Sequence, residues 1–533
     1  MSYYRDLREL ISALDRAGRI VRIKRPVNKD TELHPLVKLQ YRGLPEGERK
    51  AFLFENVIGK DGRRYPTPVL VGALAGSPEI FAIGLKCRVG EISDRLSEAE
   101  ANPIPPELVS GGPCQEVVFA GDGLLERGGL GEFPIPVGTP GFDPAPYISA
   151  PSWVTRDPDT GAVNVGMYRA MLKAPDRTGV NFATAARGGF LHFRKWKEKG
   201  KPMPAALVIG GPPSFVYGAV APLPVGLNEL AFAGGIAGEP LEVVKCRTID
   251  IEVPAAAEIV FEGEISTGEV EPEAPFGEAY GFTGPADINP FFTVKCITRR
   301  KNPIWLATVS QHPPCESSQL RRYLNRAALL KHLKRDLAME HVLDAAWVEP
   351  TGALRFVIIQ VAKTAPETIW KTLEAVAKRF PVVKIIVAVN GDVNINDADS
   401  VNLALTMRVQ PHRDCRIETL PAPALGDYSL EPLEQLSKRL PTDSERPMAS
   451  RMLIDATLKW PHPPTSLPKK EYVDRALVLW RELKLPPLKL KEPVYGLNLG
   501  FWTDEWTRLA GAAAKGDQYA AGEAYFKQRR KAS

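Results

Sequence analysis

Between residues 152 and 310 the chain is a succession of short β-branched stretches cut by glycine and proline: PSWVT, AVNVGMYRAML, AALVIGG, EVVKC, IDIEVP, AEIVFEGEI, FFTVKCITRR and PIWLATV. None is long enough to pack alone. DPDTG at 157–161 is a hairpin turn. Many short strands joined in this way bury their apolar faces by closing into a barrel or sandwich.

The flanks differ in kind. Residues 4–17 have helical periodicity through Leu7, Leu10, Ile11 and Leu14, and lead to the strand RIVRIKRPV. AFLFENVI and PVLVGALA follow, separated by the polar GKDGRRYPT, and a Pro/Gly-rich passage over 103–151 reads as a boundary. Beyond the β-rich part, the helix-like SSQLRRYLNRAALLKHLKRDLAME carries the chain outward. RFVIIQVA and VVKIIVAVN then flank the helix-like PETIWKTLEAVAKRF, a βαβ pattern that implies a parallel pair. The final TDEWTRLAGAAAKGDQYAAGEAYFKQRR reads as helix with a basic tail. The fold class expected is α/β (α+β). Its parts are an N-terminal α/β domain over 1–115, a β-barrel over 116–315, a C-terminal α/β domain over 316–465 and a helical extension over 466–533.

A length of 533 residues exceeds one ordinary core, in agreement with that division. The net charge is +5, with 68 basic and 63 acidic residues spread along the chain, which argues against a nucleic-acid partner. The six cysteines form no C-x-x-C and read as reduced thiols of a cytoplasmic protein. The start, MSYYRDLRELISALDRAG, carries acidic residues where a signal peptide has an apolar core, and no apolar run approaches membrane-spanning length.

No G-x-G-x-x-G, Walker loop, G-x-S-x-G or H-E-x-x-H is present. What remains is EPEAPFGEAYGF at 271–282, with Glu273 and Glu278 on either side of Pro275-Phe276-Gly277. Residues five apart on a straight strand face opposite ways, so a bend is needed to turn both carboxyls into one space. The same spacing also suits a solvated rim. In AVNVGMYRAML, Asn164, Gly166 and Arg169 interrupt an apolar run, either as a bulge beside a ligand or as a barrel strand with Arg169 in water. RGGF at 187–190 offers a flexible backbone beside an arginine, suited to a phosphate or to any turn.

NVGMYR, RGGF, NELAFAGGIAGEPLEVVKC, EVPAAAEIVFEGEI, PEAPFGEAYGFTG and DATLKWP occur in the order and rough spacing of the UbiD-like decarboxylases, and FLFENVIGKDG with PVLVGALAGSPE resembles that family's N-terminal domain. The resemblance runs from about residue 5 to about 465. It implies a central split barrel that binds prenylated FMN and a C-terminal domain used in oligomerisation, as a homodimer or homohexamer. It also implies a catalytic arginine at Arg169 and catalytic glutamates at Glu273 and Glu278. Asn164 and Glu229 match positions that ligate a divalent metal, manganese or magnesium, which in turn holds the cofactor phosphate; potassium belongs to the same expectation. Met167, Tyr168 and Arg169, with Arg187 and Gly188, would contact the flavin.

One branch of the family has Gln-His where this chain has Arg187-Gly188, and that histidine ligates the metal. His192 is then either the third ligand or a structural histidine. That branch's cofactor-contacting lysine has no clear match in NDADSVNLAL. The chain is therefore more similar to the branch of the ubiquinone-pathway enzyme.

The resemblance implies a decarboxylase of an aromatic or α,β-unsaturated acid, free or as a coenzyme A thioester; the tail KQRRK, outside the resemblance, reads as a solvated end or as a contact for the phosphates of such a thioester. A flavin prenyltransferase would supply the cofactor. The alternatives are a carboxylase subunit of a ring-carboxylating complex and a cofactor-binding subunit without chemistry.

Overall fold

The computed structural model describes residues 2–182, 188–224, 226–422, 427–430 and 448–531. The first helix, Leu7–Arg16, begins where the Asp6 side chain accepts from the Arg8 and Glu9 N–H groups, and it buries the predicted Leu7, Leu10, Ile11 and Leu14. It packs with a four-stranded sheet in the order Ile20–Ile23, Ala51–Phe54, Val69–Val71 and Trp305–Ala307. The last strand corrects an expectation. PIWLATV, read as part of the barrel, crosses to the N-terminal sheet, where Trp305 pairs in parallel with Val69. Its three residues are buried on both faces, a requirement of a strand inside an α/β layer and not of a barrel wall.

The central sheet has nine strands. Its order is Val163–Met167, Ser152–Arg156, Met203–Ile209, Ile259–Ile265, Phe291–Arg299, Arg177–Gly179, Ala170–Ala174 and Tyr147–Ile148, with Val117–Ala120 paired to Phe291–Arg299. Two of these strands, Val117–Ala120 and Tyr147–Ile148, come from the passage read as a boundary. EVVKC and IDIEVP leave the barrel instead. They form the hairpin Glu242–Lys245 and Glu252–Pro254, which adds Glu107–Leu108 to make a separate three-stranded sheet.

Val163–Met167 lies at one end of the nine-stranded order and Ala170–Ala174 near the other, yet only Tyr168 and Arg169 separate them in sequence. Two linking residues can span no more than about 11 Å between the strand ends. The sheet must therefore curl until its two ends almost meet, which makes a split barrel with Tyr168-Arg169 at the seam.

Helix Glu316–Leu330 leads out of the barrel, and its first residue ties it to the N-terminal domain. The Glu316 carboxylate, fully buried, accepts the backbone N–H groups of Gly72 at 3.0 Å, Leu74 at 2.9 Å and Ala75 at 3.4 Å. The C-terminal sheet follows in the order Val342–Trp347, Phe356–Val361, Ile385–Asn390, Met448–Asp455 and Cys415–Pro421. Phe356–Val361 and Ile385–Asn390 are parallel, with helix Pro366–Arg379 between them, as the βαβ pattern implied. The extension holds helices Lys470–Glu482, Asp504–Ala514 and Ala520–Phe526, in which Leu509 is the one buried residue. Among the described residues no helix is long and apolar enough to cross a membrane.

Candidate active site

The strand that ends at the seam carries the predicted polar residues. Gly166 has a steric reason: a Cβ there would meet the ring of Tyr168 at 2.3 Å, so only glycine lets that ring fold back along its own strand. Tyr168 is fixed by the Trp153 Nε1–H, which donates to its carbonyl at 2.7 Å. Arg169 therefore leaves the strand's alternation and enters the seam. This resolves the parity conflict between Asn164 and Arg169.

The segment 271–289 is one hairpin broken into two ladders. Glu271–Glu273 pairs with Asp287–Asn289, and Phe276–Gly277 pairs with Thr283–Gly284. Pro275 on one side and Pro285 on the other interrupt the pairing, because proline has no N–H to give. The Tyr147 hydroxyl donates to the Ala274 carbonyl at 2.7 Å, and Gly277 N–H donates to Asp143 Oδ1 at 3.2 Å, so the break is held at both ends.

Across that break the two glutamates meet one guanidinium. Arg169 Nε donates to Glu273 Oε1 at 2.8 Å, and Arg169 Nη1 donates to Glu278 Oε1. The Glu273 carboxylate is fully buried; its Oε2 accepts from Asn181 Nδ2 at 3.2 Å and from Asn289 Nδ2. Burial works against the charge on Arg169, but Glu278 and Glu273 outweigh it and hold the guanidinium well above its usual range. The Phe276 ring lies 5.2 Å from that guanidinium and 4.3 Å from the Tyr147 ring. Burial, then Glu273, raises the Tyr147 phenol. Nη2 of Arg169 has no protein partner among the described residues.

A second group gathers around the same strand. Val165 N–H donates to Glu229 Oε2 at 3.0 Å, which brings this carboxylate from the first turn of helix Glu229–Ala237 beside Asn164. Burial pushes the Glu229 carboxyl up to about 7, and no basic side chain pairs with it among the described residues. Gly188, in helix Gly188–Glu198, lies hard against Asn164: a Cβ on it would meet Asn164 Oδ1 at 1.9 Å. A half-buried carboxylate with no basic partner among the described residues, lying beside an amide oxygen, fits a hard cation. No group of three His, Cys, Asp or Glu side chains placed to hold a metal occurs among the described residues. His192 is buried on the same helix; its Nδ1 lies 3.0 Å from Thr155 Oγ1, and Thr155 sits directly across from Asn164. Burial lowers the His192 pKa. Met167 ends the strand, its N–H donating to the Ala219 carbonyl at 3.0 Å, while Arg187 lies outside the described residues.

The structure thus brings Arg169, Glu273 and Glu278 together, and Asn164, Glu229 and Gly188 together. Asn181, Asn289, Tyr147 and Asp143 were missed. Asn181 carried a readable signal, an amide inside the apolar run GVNF, of the kind that marked Asn164.

Comparison with known proteins gives this geometry its class. The chain matches the 3-octaprenyl-4-hydroxybenzoate carboxy-lyase N-terminal domain over residues 11–100, the Rift-related domain over 107–313 and the C-terminal domain over 318–456. One similar solved structure is an evolved dimeric form of the UbiD-class enzyme HmfF from Pelotomaculum thermopropionicum in complex with prFMN. It is 30% identical, covers 85% of this chain and 95% of its own, and has a TM-score of 0.71. Vanillic acid decarboxylase of Sedimentibacter hydroxybenzoicus, in closed form, is 27% identical over 91% of this chain and 100% of its own, with a TM-score of 0.75. The 3,4-dihydroxybenzoic acid decarboxylase AroY of Klebsiella pneumoniae is 25% identical over 92% and 98%, with a TM-score of 0.71. The protein is an enzyme of the carboxy-lyase class. It belongs to the UbiD family.

Proposed function

We propose that the protein is a prenylated-FMN-dependent decarboxylase of an aromatic or α,β-unsaturated carboxylic acid, with Arg169, Glu273 and Glu278 as its catalytic residues. The observation that carries this reading is the single guanidinium held between two carboxyls at the barrel seam. Similarity to a relative solved with prFMN supports the cofactor. When bound, the modified flavin supplies a temporary electron sink for a carbon that otherwise has none.

The chain's own residues do the rest. Arg169 offers Nη2 to the substrate carboxylate, while Nε stays on Glu273, which orients the guanidinium. The Phe276 and Tyr147 rings wall this side of the site and exclude water. When carbon dioxide leaves, the electron pair of the broken C–C bond stays on carbon, and one proton must be delivered there. One guanidinium faces two carboxyls, and one of them must supply that proton. Glu273 is fully buried and committed to Asn181 and Asn289, whereas the Glu278 side chain is 21% exposed and can renew its proton after each turnover. Glu278 is therefore the acid.

Asn164 and Glu229 are the residues that would hold a divalent cation, manganese or magnesium, with His192, bonded to Thr155, either a third ligand or a structural histidine. Gly188, with Arg187, would receive the phosphate. The C-terminal domain is the surface assigned to self-association, as a dimer or hexamer, which the exposed Leu403, Met407, Ile417 and Trp460 support.

The test is turnover of aromatic and α,β-unsaturated acids, and of their thioesters, by protein produced with and without a flavin prenyltransferase. Carbon dioxide release should require the prenyltransferase. Equal turnover with plain FMN would remove the electron-sink reading.

A further inference from the structure

The hairpin that carries Glu278 is gripped from outside its own domain. Its inner ladder is two residues on each side, closed by the Glu278 N–H donating to the Phe282 carbonyl at 2.8 Å and the Gly281 N–H donating to the Glu278 carbonyl at 3.1 Å. A ladder this short is marginal by itself. Asp143 holds its base through Gly277, and the His312 N–H reaches the Glu278 carbonyl at 3.4 Å.

The tip is held by the C-terminal domain. The Tyr428 ring stands edge-on to Phe282 at 5.4 Å and tilted to Tyr280 at 6.2 Å. The Arg355 guanidinium lies 6.0 Å from the Tyr280 ring. Gly352, at φ +71°, presses so closely that a Cβ there would meet the Ala279 carbonyl oxygen at 2.8 Å. Tyr428 is itself anchored. Lys384, next to strand Ile385–Asn390, donates to both Asp427 oxygens at 3.1 Å, and the Ser429 N–H donates to Asp427 Oδ1 at 3.2 Å. Phe282 is 64% exposed, so its ring gains order from Tyr428 and not from a core. Burial, then the nearby Glu278, pushes the Tyr428 phenol up to about 12, in keeping with a ring turned toward the acid.

We infer that the C-terminal domain holds the Glu278 hairpin against Arg169 through this aromatic clasp, with Tyr428 a positioning residue for the proton donor. The clasp is a matter of geometry alone; its catalytic consequence rests on the role proposed above for Glu278.

Hydrogen exchange of the full, flavin-free chain tests the clasp without any turnover. In Tyr428→Ala, amides of a peptide covering 276–284 should exchange about tenfold faster, a decade being the size of one lost aromatic pair. Tyr428→Phe keeps the ring and should exchange as the parent does. Phe282→Ala removes the contact from the hairpin side, at an exposed position that leaves the fold intact, and should reproduce the Tyr428→Ala result. Parent-like exchange in both alanine variants overturns the clasp. In the flavin-loaded enzyme, Tyr428→Ala should lower kcat about tenfold with KM unchanged. Faster exchange with the parent's kcat would leave the clasp standing and overturn Tyr428 as a positioning residue, whereas the role of Glu278 itself stands or falls with Glu278→Gln.

Discussion

Replacing Arg169 by methionine should be felt first at Glu273, in the protein without flavin or substrate. The Glu273 carboxylate is fully buried and, once the guanidinium is gone, keeps only the amide donors of Asn181 and Asn289. Removing one partner of a buried ion pair costs about 3–5 kcal/mol, because the remaining charge loses its compensation in a poorly solvated site. Glu278 adds little to that figure, since water reaches its carboxylate. In the double variant Arg169→Met/Glu273→Gln no fully buried charge is left behind, Glu278 being partly exposed, and the two asparagines can still bond the new amide. About 2–3 kcal/mol should return, a coupling of the same size in a double-mutant cycle. Urea unfolding followed by tryptophan fluorescence is a suitable assay, because buried Trp153 is bonded to the residue before Arg169. Strict additivity of the two substitutions, or an Arg169→Met variant within about 1 kcal/mol of the parent, would refute the reasoning.

Three further outcomes follow from the same geometry. Glu278→Gln keeps size and hydrogen-bonding reach but has no proton to give. It should bind substrate as the parent does yet lose turnover by about a hundredfold or more, whereas Glu273→Gln should weaken substrate binding; steady-state kinetics and deuterium incorporation into product separate the two. Glu229→Ala should lose cation and flavin together on gel filtration, with Asn164→Ala milder, and metal content that is unchanged in both would remove the proposed cation site. Burial pushes the Glu316 carboxyl up from 4.5 to about 7, so the folded protein binds that proton more tightly than the unfolded chain does. Stability from this group is full below pH 4.5 and falls by up to about 1.4 kcal/mol per pH unit as pH rises to about 7. Denaturation midpoints of Glu316→Gln, measured from pH 5 to 8, should lack that decline.

Much of the architecture was legible because each layer has its own period. The alternation of RFVIIQVA, PETIWKTLEAVAKRF and VVKIIVAVN admits little but a parallel βαβ unit, and that is what forms. The errors came where the partner lies far away in sequence. PIWLATV looks like any barrel strand; its place in the N-terminal sheet depends on Val69–Val71. EVVKC and IDIEVP have strand composition, but the hairpin they make finds Glu107–Leu108 and not the barrel.

At the candidate site, Pro275 and Gly277 announced a bend between two carboxyls. The matching Pro285, which lets both ladders break at one level, went unread. The groups around the bend, Asn181, Asn289 and Asp143, act through single contacts that no local pattern marks. Arg169 was ambiguous for a different reason. A strand's alternation says where a side chain points only while the strand continues, and this one stops at Met167.

The transfer of Trp305–Ala307 to the N-terminal sheet bears on how the chain can be made and divided. During synthesis, Val69–Val71 emerges early and pairs with Ala51–Phe54, then waits with its other edge bare until the entire barrel has been translated. An apolar edge kept open that long is a template for wrong pairing, and closing it is a slow, long-range step. The first 115 residues released alone would keep that edge for good. A chimaera that exchanges this unit between relatives has to carry the distant strand with it, because in folding terms the beginning of the chain ends at Ala307.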